Sequence, residues 1–141
     1  MKLTNTLLPI IGIASIMAAT PAFAQGSFAV NANVPHAFQA GEVRLAPGPY
    51  RVEYVAESHL MKIRNEDTHQ AIMINTQQPR LAGDPDQCEL RFNVYGDKYY
   101  LSSVWTPFAS GRVLNKSRAE RESAKAATEP VQMAVIKVPV R

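Results

Sequence analysis

The sequence has few of the residues that disulfide-stabilised, metal-binding and catalytic proteins concentrate. One cysteine among 141 residues excludes an internal disulfide framework. The three histidines lack the His-x-x-x-His spacing of a zinc site, and the sequence contains no Cys-x-x-Cys pair. We therefore expect no enzymatic activity and no cofactor, and we assign no catalytic, cofactor-binding or metal-binding residue.

Motifs for nucleophilic and phosphate chemistry are also missing. The sequence has no Gly-x-Ser-x-Gly elbow and no glycine-rich loop between a predicted strand and a helix. Ser58 and His59 are adjacent, but successive residues of a strand point to opposite faces, so they do not form a nucleophile–base pair. An unrecognised hydrolase that uses two surface carboxylates stays open as an alternative.

Charge is scarce and nearly balanced. Charged residues make up 19% of the chain, and the net charge is +3. A basic excess this small, together with the export signal described next, argues against nucleic acid as a partner. The basic residues that cluster lie near Glu120 and Glu122, and they are Arg112, Lys116, Arg118, Arg121 and Lys125. They favour a solvated surface of mixed sign, with docking to anionic lipid or polysaccharide as the alternative.

The N-terminus is organised like a secretory signal peptide. Lys2 precedes an apolar stretch over residues 7–19, and Ala22-Phe23-Ala24 matches the small-residue rule for cleavage. The stretch is shorter than the roughly 20 residues that a membrane span needs, and no stretch of that length follows. We expect a signal peptide over residues 1–24 and a single β-rich domain over residues 25–141. The mature chain would have no transmembrane segment and would be periplasmic or extracellular.

Alternating apolar and polar residues dominate the rest of the chain and predict an all-β fold. We expect an antiparallel β-sandwich or small barrel of about eight or nine strands, with one short surface helix near the C-terminus. The strands are predicted at residues 27–34, 42–45, 50–55, 59–65, 70–76, 88–95, 98–105, 111–114 and 131–138. The helix is predicted over residues 118–127, since Ser117 and Glu120 match a capping box.

Two turn sequences predict hairpins in the first half of the domain. Pro47-Gly48 predicts a hairpin between the strands at residues 42–45 and 50–55. A two-residue turn at Asp67-Thr68 would oppose Ile63 with Ile72 and Met61 with Ile74. That register gathers the aliphatic side chains on one face, as a half-buried sheet requires.

The third hairpin turns at Gly96-Asp97, which suits a type II′ turn. Its register opposes Phe92 with Leu101, and Cys88 with Trp105, on the core side. Cys88 is therefore expected to be a small buried side chain, and whether it ever cross-links two chains stays open. The solvent side of this hairpin is our candidate contact surface, and its residues are Arg91, Asn93, Tyr95 and Tyr100.

Three sequence elements carry a resemblance to a known group. They are Leu45-Ala46-Pro47-Gly48-Pro49-Tyr50, Tyr95-Gly96-Asp97-Lys98-Tyr99-Tyr100-Leu101 and Ser117-Arg118-Ala119-Glu120-Arg121-Glu122. The chain resembles small secreted β-rich proteins of unknown function that are common in Acidobacteria and their relatives. This resemblance implies a β-rich domain in a bacterial envelope and brings no catalytic residues.

Taken together, these patterns favour an exported, non-catalytic envelope or interaction module, whose partner would be an envelope protein or a polysaccharide. The alternative is a periplasmic β-barrel or sandwich that binds a small ligand. A filled interior would favour the module, whereas a sizeable lined cavity would favour the ligand binder. The sequence leaves the oligomeric state open.

Overall fold

A computed structural model describes residues 27–55, 57–81, 86–106 and 110–139. The expected signal peptide lies outside these residues. Within them the chain forms ten strands and one helix. In order they are β1 (Ser27–Val34), β2 (Phe38–Ala40), β3 (Val43–Leu45), β4 (Gly48–Val55), β5 (Leu60–Asn65), β6 (Ala71–Gln77), β7 (Glu89–Tyr95), β8 (Lys98–Thr106), β9 (Ser110–Leu114), α1 (Arg118–Ala126) and β10 (Gln132–Lys137). The all-β prediction is confirmed.

The strands form two layers that are joined at one corner. The first layer has the order β1-β4-β5-β6, and the second has the order β10-β7-β8. Along the other side of β8 lie β9 and the β2–β3 hairpin, with β2 parallel to β8. Strand β9 also pairs with the end of β6, and this pairing connects the layers. Among the described residues the sheet does not close, so of the two predicted architectures the sandwich is the observed one.

Apolar side chains at alternate positions of the strands fill the space between the layers. Phe92, Met61 and Ile63 are the largest of the fully buried side chains. At the periphery of this core the hydroxyls of Tyr54 and Thr106 lie 2.6 Å apart in a buried hydrogen bond, so these polar groups are satisfied inside the sandwich.

The β5–β6 hairpin has the predicted register, since Ile63 opposes Ile72 and Met61 opposes Ile74. Its turn is longer than the predicted two residues. The Oδ1 atom of Asn65 accepts from the backbone N–H groups of residues 67 and 68, and His69 takes the left-handed φ of 60°. The β-branched Thr68 is thereby spared a positive φ, which it tolerates poorly.

The predicted hairpin at Pro47-Gly48 is wrong. Strand β3 pairs with β2 across a turn at Gly41, where φ is 57°, and β4 pairs with β1 and β5 in the other layer. Pro47-Gly48 instead carries the chain between the layers. The physical reason is strand length, because β1 offers eight cross-strand partners to β4 whereas β3 has only three residues.

The β7–β8 hairpin is confirmed near its turn and shifted beyond it. Gly96 has a φ of 64°, and Phe92 opposes Leu101 as expected. Between Arg91 and Phe92 the register shifts, because Ser102 is an extra residue whose hydroxyl donates to the carbonyl of Arg91 over 3.0 Å. Beyond this bulge Trp105 opposes Glu89, so the predicted pairing of Cys88 with Trp105 is wrong.

Helix α1 begins where the capping residues predicted and ends at Ala126, one residue early. The hydroxyl of Ser117 accepts from the backbone N–H of Glu120 over 3.1 Å, which satisfies one of the free donors of the first turn. Among the described residues, no helix has the length and apolarity needed to cross a membrane.

Candidate interaction surface

Helix α1 lies on the outer face of β7 and β8, the face that points away from the other layer. The Nδ2 group of Asn93 donates to Oε1 of Glu120 over 2.8 Å, and the hydroxyl of Tyr95 donates to the same oxygen over 3.3 Å. The hydroxyls of Tyr100 and Ser123 lie 2.7 Å apart. Three of the four residues of the predicted contact surface are thus brought together, but they hold the protein's own helix.

Helix α1 covers Tyr100 closely enough to shield it from solvent. Its side chain is only 4% exposed, so an external partner could reach it only if α1 moved away. The surface helix predicted from the sequence was not expected to make this contact. The sequence did contain a signal for this contact: the solvent side of the β7–β8 hairpin carries a row of polar side chains, and a polar helix can pack against such a row.

Glu120 is the centre of this contact. It is 3% exposed, and its carboxylate points at the sheet instead of back at the backbone of Ser117. Burial, followed by the negative charge of Glu120, raises the pKa of Tyr95 above its ordinary value. A buried carboxylate is costly unless its oxygens accept hydrogen bonds, and here Asn93 and Tyr95 provide them.

Arg91, the fourth predicted contact residue, lies beyond the helix on the same outer face. Its guanidinium lies over the ring of Trp105, 5.2 Å from the ring centroid, and its Nε is 2.5 Å from Oε1 of Glu89. The indole N–H of Trp105 donates to the hydroxyl of Ser103 over 3.1 Å. The bulge has therefore moved the tryptophan from its predicted core position to a buried position on the outer face.

Strand β10 lies next to β7 and presents apolar side chains on both of its faces. Ala134, Ile136 and Val138 pack against the core. On the outer face the exposed fractions are 52% for Val131, 63% for Met133 and 43% for Val135. Within the described residues no strand pairs with the second edge of β10. We call this edge and its three exposed side chains the β10 edge.

The β10 edge was not identified by sequence reasoning, although a signal existed. A strand with one wet face alternates apolar and polar residues, whereas residues 131–138 have apolar side chains in both phases. Such a pattern indicates a strand covered on both faces. Within the described residues only one of the two faces is covered.

Cys88 directly precedes β7 and packs against the core, but it is half-buried and not the fully buried side chain that the sequence predicted. Its carbonyl accepts the backbone N–H of Val138 over 2.8 Å. Burial raises the pKa of the thiol, which keeps it in the less reactive protonated form.

The other candidate clusters do not assemble. The Nδ1 atom of His69 lies 2.8 Å from a guanidinium nitrogen of Arg64, a neighbour that opposes cation binding. Of the two carboxylates that flank Pro85 in the sequence, Asp84 lies outside the described residues. In the part of the chain that the structure covers, no three His, Cys, Asp or Glu side chains come close enough to hold a metal ion. Arg112 leaves the predicted basic cluster, because it is buried over the ring of Tyr54.

Grooves at the surface of the described residues include three with volumes of about 460, 360 and 410 Å³. The largest runs between the end of α1 and the start of β10. The second lies beside His36, whose ring stacks on Tyr99 with the centroids 3.6 Å apart. The third lies at the face of the first layer, beside Arg51 and Glu53. These are clefts on the outside of the sandwich, and the space between the layers is occupied by the core side chains.

Comparison with known proteins adds no relative, since no family model, curated protein or solved structure matches this chain. The resemblance to secreted acidobacterial proteins stays a prediction. Function has to be inferred from the surfaces of this molecule, because a sandwich architecture is compatible with many functions.

Proposed function

We propose that the chain is an exported, non-catalytic interaction module of the cell envelope, and that it binds its partner through the β10 edge. The observation that carries the proposal is the coincidence of an unpaired strand edge with exposed Val131, Met133 and Val135. An edge strand exposes free N–H and C=O groups, which natural proteins usually protect with charge, proline or a covering segment.

The β10 edge has less of this protection than is usual. Pro130 and Pro139 flank it, but the residues from 131 to 136 carry no charge. A row of exposed apolar side chains beside free backbone groups is the arrangement by which sheets accept an added strand. The predicted surface around Tyr100 is less suitable, because α1 already covers it.

Export is part of the proposal and is supported by the N-terminal sequence. Lys2, the apolar residues 7–19 and the Ala22-Phe23-Ala24 element fit a cleaved signal peptide. Cleavage after Ala24 would leave Gln25 as the first residue of the envelope protein. Intact-mass measurement of the protein recovered from the periplasmic fraction or the medium tests this directly.

Photo-crosslinking in the envelope tests the binding surface. A photoreactive amino acid replaces Met133 in the full chain, and a matched control replaces Met73, which is 59% exposed on the other layer. We expect a specific adduct from position 133 that position 73 does not give, and its loss when Val135→Lys is added. Equal labelling from both positions, or labelling that survives Val135→Lys, would overturn the proposal.

A further inference from the structure

We propose that the partner of the β10 edge is a second copy of this chain, joined by antiparallel pairing of β10 with β10 across a two-fold axis. This inference rests on the proposed function, since it names the occupant of the same edge. Three properties of β10 support it: the direction of its free backbone groups, the register that these groups allow, and the side chains that the register brings together.

The direction of the backbone groups follows from the pairing of β10 with β7. The N–H of Val138 donates to the carbonyl of Cys88, and the pairing continues without a shift to Gln132 opposite Val94. In an antiparallel ladder, alternate residues bond to the same neighbour. Residues 132, 134, 136 and 138 therefore bond to β7. The N–H and C=O groups of Met133, Val135 and Lys137 therefore point to the free edge, and the same alternation, continued to the residue just before the strand, directs those of Val131 there as well.

Those four residues select one register for a symmetric pair. When Met133 faces Val135 of the second copy, Val131 faces its Lys137, and all four residues of each chain exchange hydrogen bonds. If one strand is displaced by two residues along the other, only three of these four residues in each chain find a hydrogen-bonding partner. A displacement by one residue would oppose the free groups to groups that already bond to β7, so it forms no ladder.

The same register places the side chains favourably. The four residues also carry the outward side chains, so Met133 and Val135 of both copies would form one continuous apolar row. Directly opposed side chains in such a pair lie about 4.5–5.5 Å apart at Cβ, close enough to shield one another from water. A two-fold axis provides this complementarity automatically, because each copy presents the same strand to the other.

Charge is compatible with the symmetric pair. Lys137 is the only charged residue of β10, and the register sets it against Val131 and not against the other Lys137. Within its own chain, Lys137 already lies opposite Glu89 of β7. A pairing that brought the two lysines together would be opposed by like-charge repulsion.

Sedimentation of the purified full-length mature protein tests the dimer. One strand pair is a small interface, below about 1,200 Å², so we expect a reversible dimer that dissociates in the micromolar range. Met133→Lys places a charge in the apolar row and should weaken the dimer at least about tenfold. Met73→Lys, the same change at a similarly exposed site, should leave it unchanged. Circular dichroism and thermal unfolding show whether each variant is folded.

Disulfide trapping tests the register. In a Cys88→Ala background, Met133→Cys and Val135→Cys proteins are prepared separately and then mixed under mild oxidation. Opposed residues lie within disulfide range, whereas the diagonal pairs of 133 with 133 or 135 with 135 lie about 7–8 Å apart. We expect the mixture to cross-link roughly tenfold faster than either protein alone.

The outcomes separate this inference from the proposed function. A concentration-dependent dimer that Met133→Lys weakens, with preferential mixed disulfides, supports the second copy as the partner. A monomer at about 500 µM, well above the micromolar dissociation expected for so small an interface, would overturn it. If the envelope adduct at position 133 then contains a different protein, the proposed function survives. Absence of any specific adduct would overturn that too. A dimer that cross-links equally at all positions would overturn the register.

Discussion

Glu120→Ala is the substitution that best tests how α1 is held on the sheet. It removes the carboxylate that accepts from Asn93 and Tyr95, and it leaves the backbone N–H of Glu120 bonded to Ser117. The helix start is therefore kept while two of its hydrogen bonds to the sheet are lost, and the contact between Tyr100 and Ser123 remains. The two donors on the sheet lose their common partner.

The expected loss of stability follows from the geometry of the two hydrogen bonds. The bond of 2.8 Å from Asn93 goes to a charged acceptor that is 3% exposed, and a bond of this kind contributes about 1.5–3 kcal/mol. The bond of 3.3 Å from Tyr95 is longer and adds less. Water can reach the half-buried donors once the carboxylate is gone, so we expect a total loss of about 2–3 kcal/mol.

Thermal unfolding provides the assay, and the same helix provides the control. A domain of roughly 120 residues changes its Tm by about 4 °C for each kcal/mol, so Glu120→Ala should lower the Tm by about 8–12 °C. Glu122 lies two residues on, with its carboxylate 3.1 Å from Arg118 and both side chains largely exposed. Because exposed pairs at this spacing contribute about 0.3–0.5 kcal/mol, Glu122→Ala should lower the Tm by about 2 °C or less.

The pKa of Tyr95 gives an independent readout. Burial and the Glu120 carboxylate raise it, so the neutral phenol stabilises the folded state below the ordinary pKa of about 10. That contribution disappears as the pH rises through the raised pKa. In Glu120→Ala the charge is gone, and ultraviolet titration should show a lower pKa for Tyr95. If Glu120→Ala and Glu122→Ala unfolded at the same temperature, α1 would not be held by this carboxylate.

Two further predictions concern buried groups near the bulge. Gly111→Ala would place a Cβ 2.7 Å from Cε3 of Trp105, so we expect a loss of about 1–3 kcal/mol in chemical denaturation. The loss should disappear in a Trp105→Leu background; equal stability of Gly111→Ala and the parent would contradict this packing. The Cys88 thiol should react at least about tenfold more slowly with a thiol reagent in folded than in urea-unfolded protein at pH 8, since burial raises its pKa. Equal rates would place it in solvent.

Much of the sheet could be predicted because local patterns determine it. In β5 and β6 the predicted register opposes Ile63 with Ile72 and Met61 with Ile74 on the core face, and the structure has that register. The turn at Gly96 requires a residue that accepts a φ of 64°, and glycine does so without strain. The start of α1 is determined just as locally, because the hydroxyl of Ser117 accepts from the backbone N–H of Glu120.

The errors arose where a distant segment competed with a local pattern. Pro47-Gly48 is a good turn sequence, but β4 gained a longer partner in β1, more than a dozen residues earlier in the chain. A turn that reverses a hairpin and a turn that changes layers use the same residues. No window of sequence around Pro47 distinguishes the two.

The bulge at Ser102 had the larger effect on the candidate site. Period-two alternation assumes that no residue is inserted, and a single extra residue reverses the face of everything that follows it. Leu101 and Val104 both reach the core, which strict alternation forbids, and Trp105 moves to the outer face. The spacing of these two core residues in the sequence was compatible with a bulge but did not require one.

The bulge and the helix together explain why the outer face of β7 and β8 is not free for a partner. The extra residue sends Trp105 outward, where Arg91 and Gly111 enclose it, and the polar residues nearer the turn receive α1. On the outer face of β7 and β8, both the side chains around Trp105 and the polar side chains nearer the turn therefore contact other parts of the same chain. The apolar row on β10 has no such cover among the described residues. An edge strand with free backbone groups beside Met133, which is 63% exposed, is open to pairing with another strand, and the proposed symmetric dimer would supply that strand.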